Sequence, residues 1–152
     1  MHPRGTLAAE AIAEVDLEGA PPSVLTTEGE WLFLPATQRE ELGAFVARHG
    51  LRVVQREDVW MMLLEPFLDT EFSEEIQAKT MERLAALGLS ASEVARIRGQ
   101  VERQMLTYTA ITWEWMYYGL FDVLQAMATF GSRRKFSDFY REAMRLALKA
   151  PA

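Results

Sequence analysis

Short apolar runs alternate with turn-forming residues over the first third of the chain, which is the pattern of a small sheet with one covering helix. Alanine-rich sequence predicts a helix near the start, and β-branched and aromatic runs on either side of Gly29 predict a hairpin. In chain order, the predicted elements are a helix at 6–17, strands at 24–27 and 31–34, a helix from the capping-box pattern at 37–40 to Gly50, and a strand at 51–55. Residues 1–56 are therefore predicted to form a helix–β–β–α–β subregion.

From Asp58 onward, apolar residues recur at spacings of three and four, which predicts helices. Asp58, Ser73 and Ser90 have the residue type of a helix N-cap, and Ser90 with Glu93 forms a capping-box pattern. The predicted helices run from Asp58 to Pro66, from Ser73 to Gly88, from 91 to 118, from 120 to 130, and from about Ser132 or Ser137 to Lys149. The fold class is therefore α+β and predominantly helical, with a small N-terminal antiparallel sheet and one helix packed on a C-terminal bundle of four to five helices in residues 57–152.

Length and charge favour one compact body over two separate domains. A chain of 152 residues suits one domain of ordinary size. Residues 1–75 have a net charge of −10 and residues 76–152 a net charge of +4, so the two parts of the chain attract each other. We expect a single domain over 1–152.

The helix predicted at 91–118 is long for a chain of this size. It would extend about 42 Å, whereas a compact chain of this length has a diameter of roughly 38 Å. Its apolar positions at the expected spacing are Val94, Ile97, Val101, Tyr108, Ile111, Trp115 and Tyr118. Either Gly119 breaks this helix or its exposed side packs on a second copy of the chain, which predicts a homodimer.

Composition excludes several kinds of chemistry. The chain has no cysteine and only two histidines, which excludes disulfides, thiolate nucleophiles and histidine-rich metal sites. No nucleotide-binding loop, hydrolase motif or metalloprotease motif is present. We therefore expect no catalytic residues, no metal and no cofactor, and the sequence disfavours an enzyme.

Charge and hydropathy indicate the compartment and the class of partner. The net charge of −6 disfavours nucleic acid and anionic membranes as partners. The first residues lack the apolar region of a secretory signal, and no uncharged stretch approaches the roughly 20 residues of a membrane span. Thirteen of the sixteen basic residues are arginine, which is typical of a GC-rich bacterial genome. We expect a bacterial, cytoplasmic protein.

The segment 113–121 concentrates five aromatic residues on all sides of the predicted helix, so they cannot all face one core. One interpretation is a buried helix with some aromatic residues at a dimer interface. The other is an apolar pocket in which polar side chains orient a small ligand. The candidate ligand-binding residues are Trp113, Glu114, Trp115, Tyr117, Tyr118 and Asp122.

Basic residues are concentrated near the C-terminus. The candidate anion-binding residues are Arg133, Arg134, Lys135, Arg141 and Arg145. The alternative explanation is structural, because cations favour the last turn of a helix and can pair with the acidic residues of 57–75.

These observations favour a soluble, non-catalytic interaction protein of a regulatory or adaptor type. We expect it to form a homo-oligomer through the 91–118 helix and to bind a protein partner. The alternative hypothesis is a small-molecule-binding protein or enzyme with an aromatic pocket around residues 113–122.

Overall fold

The computed structural model describes residues 6–68, 73–112 and 117–151, apart from the side chains at positions 133 and 135. These residues form a three-stranded antiparallel sheet and six α-helices, which confirms the predominantly helical α+β class. The chain divides into two compact units: Met1–Glu57 with Pro151–Ala152, here called the N-terminal unit, and Asp58–Ala150, the C-terminal unit. A single domain over 1–152, with the sheet packed on the bundle, stays a prediction.

The sheet of the N-terminal unit is a meander. Its strands are β1 (Ile12–Asp16), β2 (Ser23–Thr26) and β3 (Trp31–Phe33), in the order β1-β2-β3. Val24 lies opposite both Val15 and Leu32, so apolar side chains align across the sheet. Gly29 has a φ of 85° in the turn between β2 and β3, which confirms the predicted hairpin.

The predicted helix at 6–17 is wrong. Residues Ala9–Ala11 form a single 3₁₀ turn, Ile12–Asp16 form β1, and the remaining positions of the segment are not helical. Alanine favours a helix only weakly, and pairing with a neighbouring strand overrides that preference. The predicted strand at 51–55 is reduced to one parallel bridge between Val15 and Val53, in which Val54 N–H donates to the Val15 carbonyl at 2.9 Å.

A buried carboxylate fixes the 52–56 segment beside β1. Glu14 accepts two hydrogen bonds from the Arg56 guanidinium, at 2.8 and 3.1 Å, and a third from Arg52 at 3.0 Å. Glu14 and Arg56 are shielded from water, whereas the Arg52 side chain is mostly exposed. Charge-assisted pairs of this kind are strong where water is excluded.

The helix α1 (Arg39–His49) covers the sheet. Leu42 and Val46 pack with Val15 and Val24 to form the core of the N-terminal unit. The capping box predicted at 37–40 does not form, because the 3₁₀ turn Ala36–Gln38 precedes the helix and Gln38 is its N-cap without a side-chain hydrogen bond. The helix ends at Gly50 with a φ of 62°, which confirms the predicted left-handed terminus.

We predict that Glu14→Ala lowers the free energy of opening of β1 by about 3 kcal/mol, since it leaves the shielded Arg56 without its carboxylate. Amide hydrogen exchange over residues 12–26 measures this local stability. Arg52→Ala is the control, and it should cost less than about 1 kcal/mol because that guanidinium is largely solvated. Equal effects of the two variants would contradict the assignment.

The C-terminal unit is built around one short apolar helix. Its helices are α2 (Val59–Leu64), α3 (Glu74–Ala86), α4 (Ala91–Thr112), α5 (Leu120–Phe130) and α6 (Arg133–Ala147). All residues of α2 except Met61 are buried, and α2 contacts each of the other four helices. Trp60 lies at the centre, with its indole Nε1 donating to the Ala143 carbonyl at 3.2 Å and its ring edge-on to Phe139.

Arg98 of α4 caps the C-terminal end of α2. Its guanidinium donates to the carbonyls of Met62 and Leu63 at 3.1 and 3.0 Å, two groups that a helix cannot satisfy internally. Burial lowers the pKa of Arg98, and the nearby Glu65 partly opposes that shift. The Arg98 side chain therefore connects α4 to the main chain of the central helix α2.

The predicted caps at Asp58, Ser73 and Ser90 are confirmed. At the start of α4, Glu93 N–H donates to Ser90 Oγ at 3.3 Å, and Ser90 N–H donates to Glu93 Oε2 at 2.9 Å. This reciprocal pair is the capping box that the sequence predicts. Hydrogen bonds from the Ser90 hydroxyl and then from its N–H lower the pKa of Glu93.

A pH dependence follows from that lowered pKa. A carboxylate whose folded pKa is depressed stabilises the fold above its ordinary pKa, and the contribution is lost as the pH falls through the folded value. We predict that the Ser90 amide resonance titrates with an inflection below the ordinary glutamate pKa of about 4.3. NMR titration of Glu93→Gln provides the control, in which this inflection should be absent. An unchanged inflection in the variant would assign it to another group.

Candidate functional site

The junction between α4 and α5 differs from the prediction. The sequence predicted a helix through Tyr118, but Tyr117, Tyr118 and Gly119 are not helical, and Gly119 is the N-cap of a new helix. The helix predicted over 91–118 is therefore too long: α4 is described to Thr112, the chain is already non-helical at Tyr117, and packing of this helix on a second copy stays a prediction. The prediction failed because the apolar spacing that predicts a helix continues through Tyr118, where the chain is not helical.

Two carboxylates hold this junction. Asp58 Oδ1 accepts from Trp60 N–H at 2.9 Å, and Asp58 Oδ2 accepts from Leu120 N–H at 2.7 Å, so one side chain caps both α2 and α5. Asp122 Oδ2 accepts from Gly119 N–H at 2.9 Å, and its Oδ1 accepts from the Tyr108 hydroxyl at 3.3 Å. The sequence identified Asp58 as the cap of α2 and predicted the helix at 120–130, but it held no signal that Asp58 also caps that helix, whose first residue is 62 positions away.

The candidate ligand-binding residues are not equivalent in the structure. Tyr118 is buried, with its ring edge-on to Tyr108 at 5.9 Å, and Asp122 is engaged in the junction. Tyr117 is 64% exposed. The other candidates, Trp113, Glu114 and Trp115, lie outside the described residues. The structure brings Tyr118 and Asp122 to one junction in supporting roles, and an aromatic ligand pocket at 113–122 stays a prediction.

The last turns of α4 expose apolar side chains. Leu106 is 53% exposed and Ile111 is 63% exposed, while Thr107 and Ala110 between them are also exposed. The early stripe residues Val94, Ile97 and Val101 are buried as predicted, whereas Ile111 is not. We call Leu106, Thr107, Ala110 and Ile111 the α4 apolar surface.

Charge changes abruptly along the outer side of α4. Up to Arg103 the exposed positions include Glu93, Arg96 and Glu102, but 104–112 contains no charged residue. An exposed apolar surface of this kind is the usual mark of a contact with another molecule. Sequence periodicity missed it, because Ile111 fits the spacing of the buried stripe.

The basic candidates of α6 face solvent. Arg134, Arg141 and Arg145 are exposed, while the side chains of Arg133 and Lys135 lie outside the described part of the chain. Arg141 donates to Asp138 on its own helix at 2.9 Å. Lys149, which follows α6, donates to the Leu87 carbonyl at 3.3 Å. Neither of these two bonds reaches the acidic stretch 57–75 that the sequence suggested as a partner.

Comparison with protein-family models, curated proteins and solved structures gives no match to this chain. Within residues 6–68, 73–112 and 117–151, no three histidine, aspartate or glutamate side chains are grouped as metal ligands would be. None of the helices in those ranges combines the length and apolar character needed to cross a membrane. The function of the chain therefore has to be inferred from the α4 apolar surface and the basic side of α6.

We predict opposite effects from alanine at two glycines. A Cβ at Gly119 would collide with Asp58 Oδ2, so Gly119→Ala should displace the shared cap and cost roughly 1–3 kcal/mol. At Gly99, in the exposed middle of α4, a Cβ meets no atom within 4 Å. Gly99→Ala should therefore stabilise the C-terminal unit by up to about 1 kcal/mol through helix propensity. Urea unfolding measures both variants, and a neutral Gly119→Ala would contradict the double cap.

Proposed function

We propose that this chain is a non-catalytic interaction protein of a regulatory or adaptor type that forms a homodimer through the α4 apolar surface. The observation that carries the proposal is the uncharged, exposed end of α4, where Leu106 and Ile111 keep more than half of their surface in water. A non-catalytic role is supported by Asp58 and Asp122, because these carboxylates accept hydrogen bonds that define helix termini. The expected compartment is the bacterial cytoplasm, on the sequence grounds given above.

The shape of the α4 apolar surface suits a second helix. At 100° per residue, Leu106 and Ile111 lie about 140° apart around α4, with Thr107 and Ala110 between them. Leu106–Ala110 and Thr107–Ile111 are therefore two neighbouring rows with an i, i+4 spacing. Side chains of a docking helix pack between such rows, and the small Ala110 permits close approach. The buried Val101 and Met105 point to the opposite side and hold α4 in its own unit.

Charge favours a second copy as the occupant. The chain has a net charge of −6, so two copies repel each other, and this repulsion is smaller where they meet through surfaces without charge. In a two-fold dimer, each copy contributes the same surface to the interface. If that surface has no charged residues, no like charges face each other across the interface. The α4 apolar surface satisfies this requirement, and the charged outer side of 91–103 does not.

The proposal predicts the mass of the particle in solution. Light scattering at micromolar concentration should give twice the chain mass of 17.3 kDa. Leu106→Glu with Ile111→Glu should give monomers, because each dimer would then bury four carboxylates without partners. Circular dichroism should show an unchanged fold, since both side chains are already exposed.

Ile76→Glu is the matched control for added charge at an exposed apolar position. Ile76 is 45% exposed on α3 and does not belong to the α4 apolar surface, so this variant should remain dimeric. A monomeric wild type would contradict the proposal. So would a double glutamate variant that keeps the dimer mass.

A further inference from the structure

The outer side of α6 is a narrow basic stripe. Residues 134, 138, 141 and 145 follow spacings of four, three and four, so they lie within about 60° of one another around the helix. Phe139 and Ala143 are buried and face the core on the other side. Arginine occupies three of the four stripe positions, and Asp138 occupies the other. We call Arg134, Asp138, Arg141 and Arg145 the α6 stripe.

Contacts within the chain leave part of this charge uncompensated. Asp138 pairs with Arg141, and both side chains are about three-quarters exposed. The neighbouring acid on α6, Glu142, is bound by Arg96 of α4. Among the described residues, Arg134 and Arg145 have no ion-pair partner. The α6 stripe thus keeps two unneutralised guanidinium groups on a chain whose net charge is −6.

We infer that the α6 stripe is a docking surface for an acidic segment of a protein partner. Guanidinium groups form paired hydrogen bonds with carboxylates, which suits Asp and Glu side chains. Arg141 and Arg145 are one turn apart, about 6 Å along the axis. Carboxylates with an i, i+4 spacing on a helix, or on alternate residues of a strand, repeat at about the same distance.

Two observations favour an acidic protein segment over a nucleic acid or an anionic membrane. Asp138 lies within the stripe, so a continuous row of phosphates would meet a carboxylate there. The net charge of −6 also repels an extended polyanion, whose binding depends on many simultaneous phosphate contacts. Separate carboxylates on a peptide can reach Arg134 and Arg145 without approaching Asp138. The inference concerns α6 and does not depend on dimer formation through α4.

The test is fluorescence anisotropy at low salt with a fluorescein-labelled helical peptide whose glutamates are four residues apart and separated by uncharged residues. Wild-type protein should bind the peptide, and added salt should weaken binding because the contacts are exposed. Arg134→Gln with Arg145→Gln should weaken binding up to about tenfold, because it removes the two guanidinium groups that have no ion-pair partner among the described residues. The double variant Arg48→Gln with Arg103→Gln removes the same charge from α1 and α4, and it should bind like the wild type.

Each other outcome overturns the inference. Wild-type protein without affinity for the glutamate peptide would exclude an acidic docking surface, and equal weakening in both double variants would assign binding to overall charge. Tighter binding of single-stranded DNA or phosphatidylserine vesicles than of the peptide would exclude a protein segment as the occupant. The Leu106→Glu, Ile111→Glu variant should bind the peptide normally, so failure of the dimer and failure of the α6 stripe are distinguishable.

Discussion

The carboxylate of Asp58 joins the N-termini of two helices, and the arrangement of the C-terminal unit depends on this contact. One oxygen accepts from Trp60 N–H and the other from Leu120 N–H, so α2 and α5 begin at the same point. Helix N-termini carry unsatisfied donors and a partial positive charge, and one carboxylate here compensates two of them. The absence of a side chain at Gly119 leaves room for this approach. The starts of α2 and α5 thus share one electrostatic cause.

The central helix α2 is short, yet it contacts every other helix of the C-terminal unit. A helix of six residues has few internal hydrogen bonds and is unstable alone. Its polar ends are satisfied by Asp58 at one terminus and by Arg98 at the other, while Trp60 donates to the α6 main chain. With these groups satisfied, its apolar residues can be buried by all four neighbouring helices. The unit is therefore held by contacts between elements far apart in sequence.

The two proposed interaction surfaces lie on helices whose inner sides are fixed in that bundle. The outer side of α4 loses its charged residues after Arg103, and the outer side of α6 carries arginines separated by one acid. An uncharged surface favours contact with an identical surface, whereas a basic stripe favours an acidic partner. The two proposals therefore assign different partners to two surfaces of one helical unit.

The sequence by itself determined the features that depend on neighbouring residues: the caps at Asp58, Ser73 and Ser90, the hairpin turn at Gly29 and the end of α1 at Gly50. It also determined which residues carry the charge of α6. Tertiary structure decided that 12–16 is a strand, that Asp58 also caps α5, and that Ile111 faces water. Capping and turn preferences act within about four residues and leave a local pattern. The Val15–Arg52 and Asp58–Leu120 hydrogen bonds join distant segments, and such contacts leave no periodic signal in the chain.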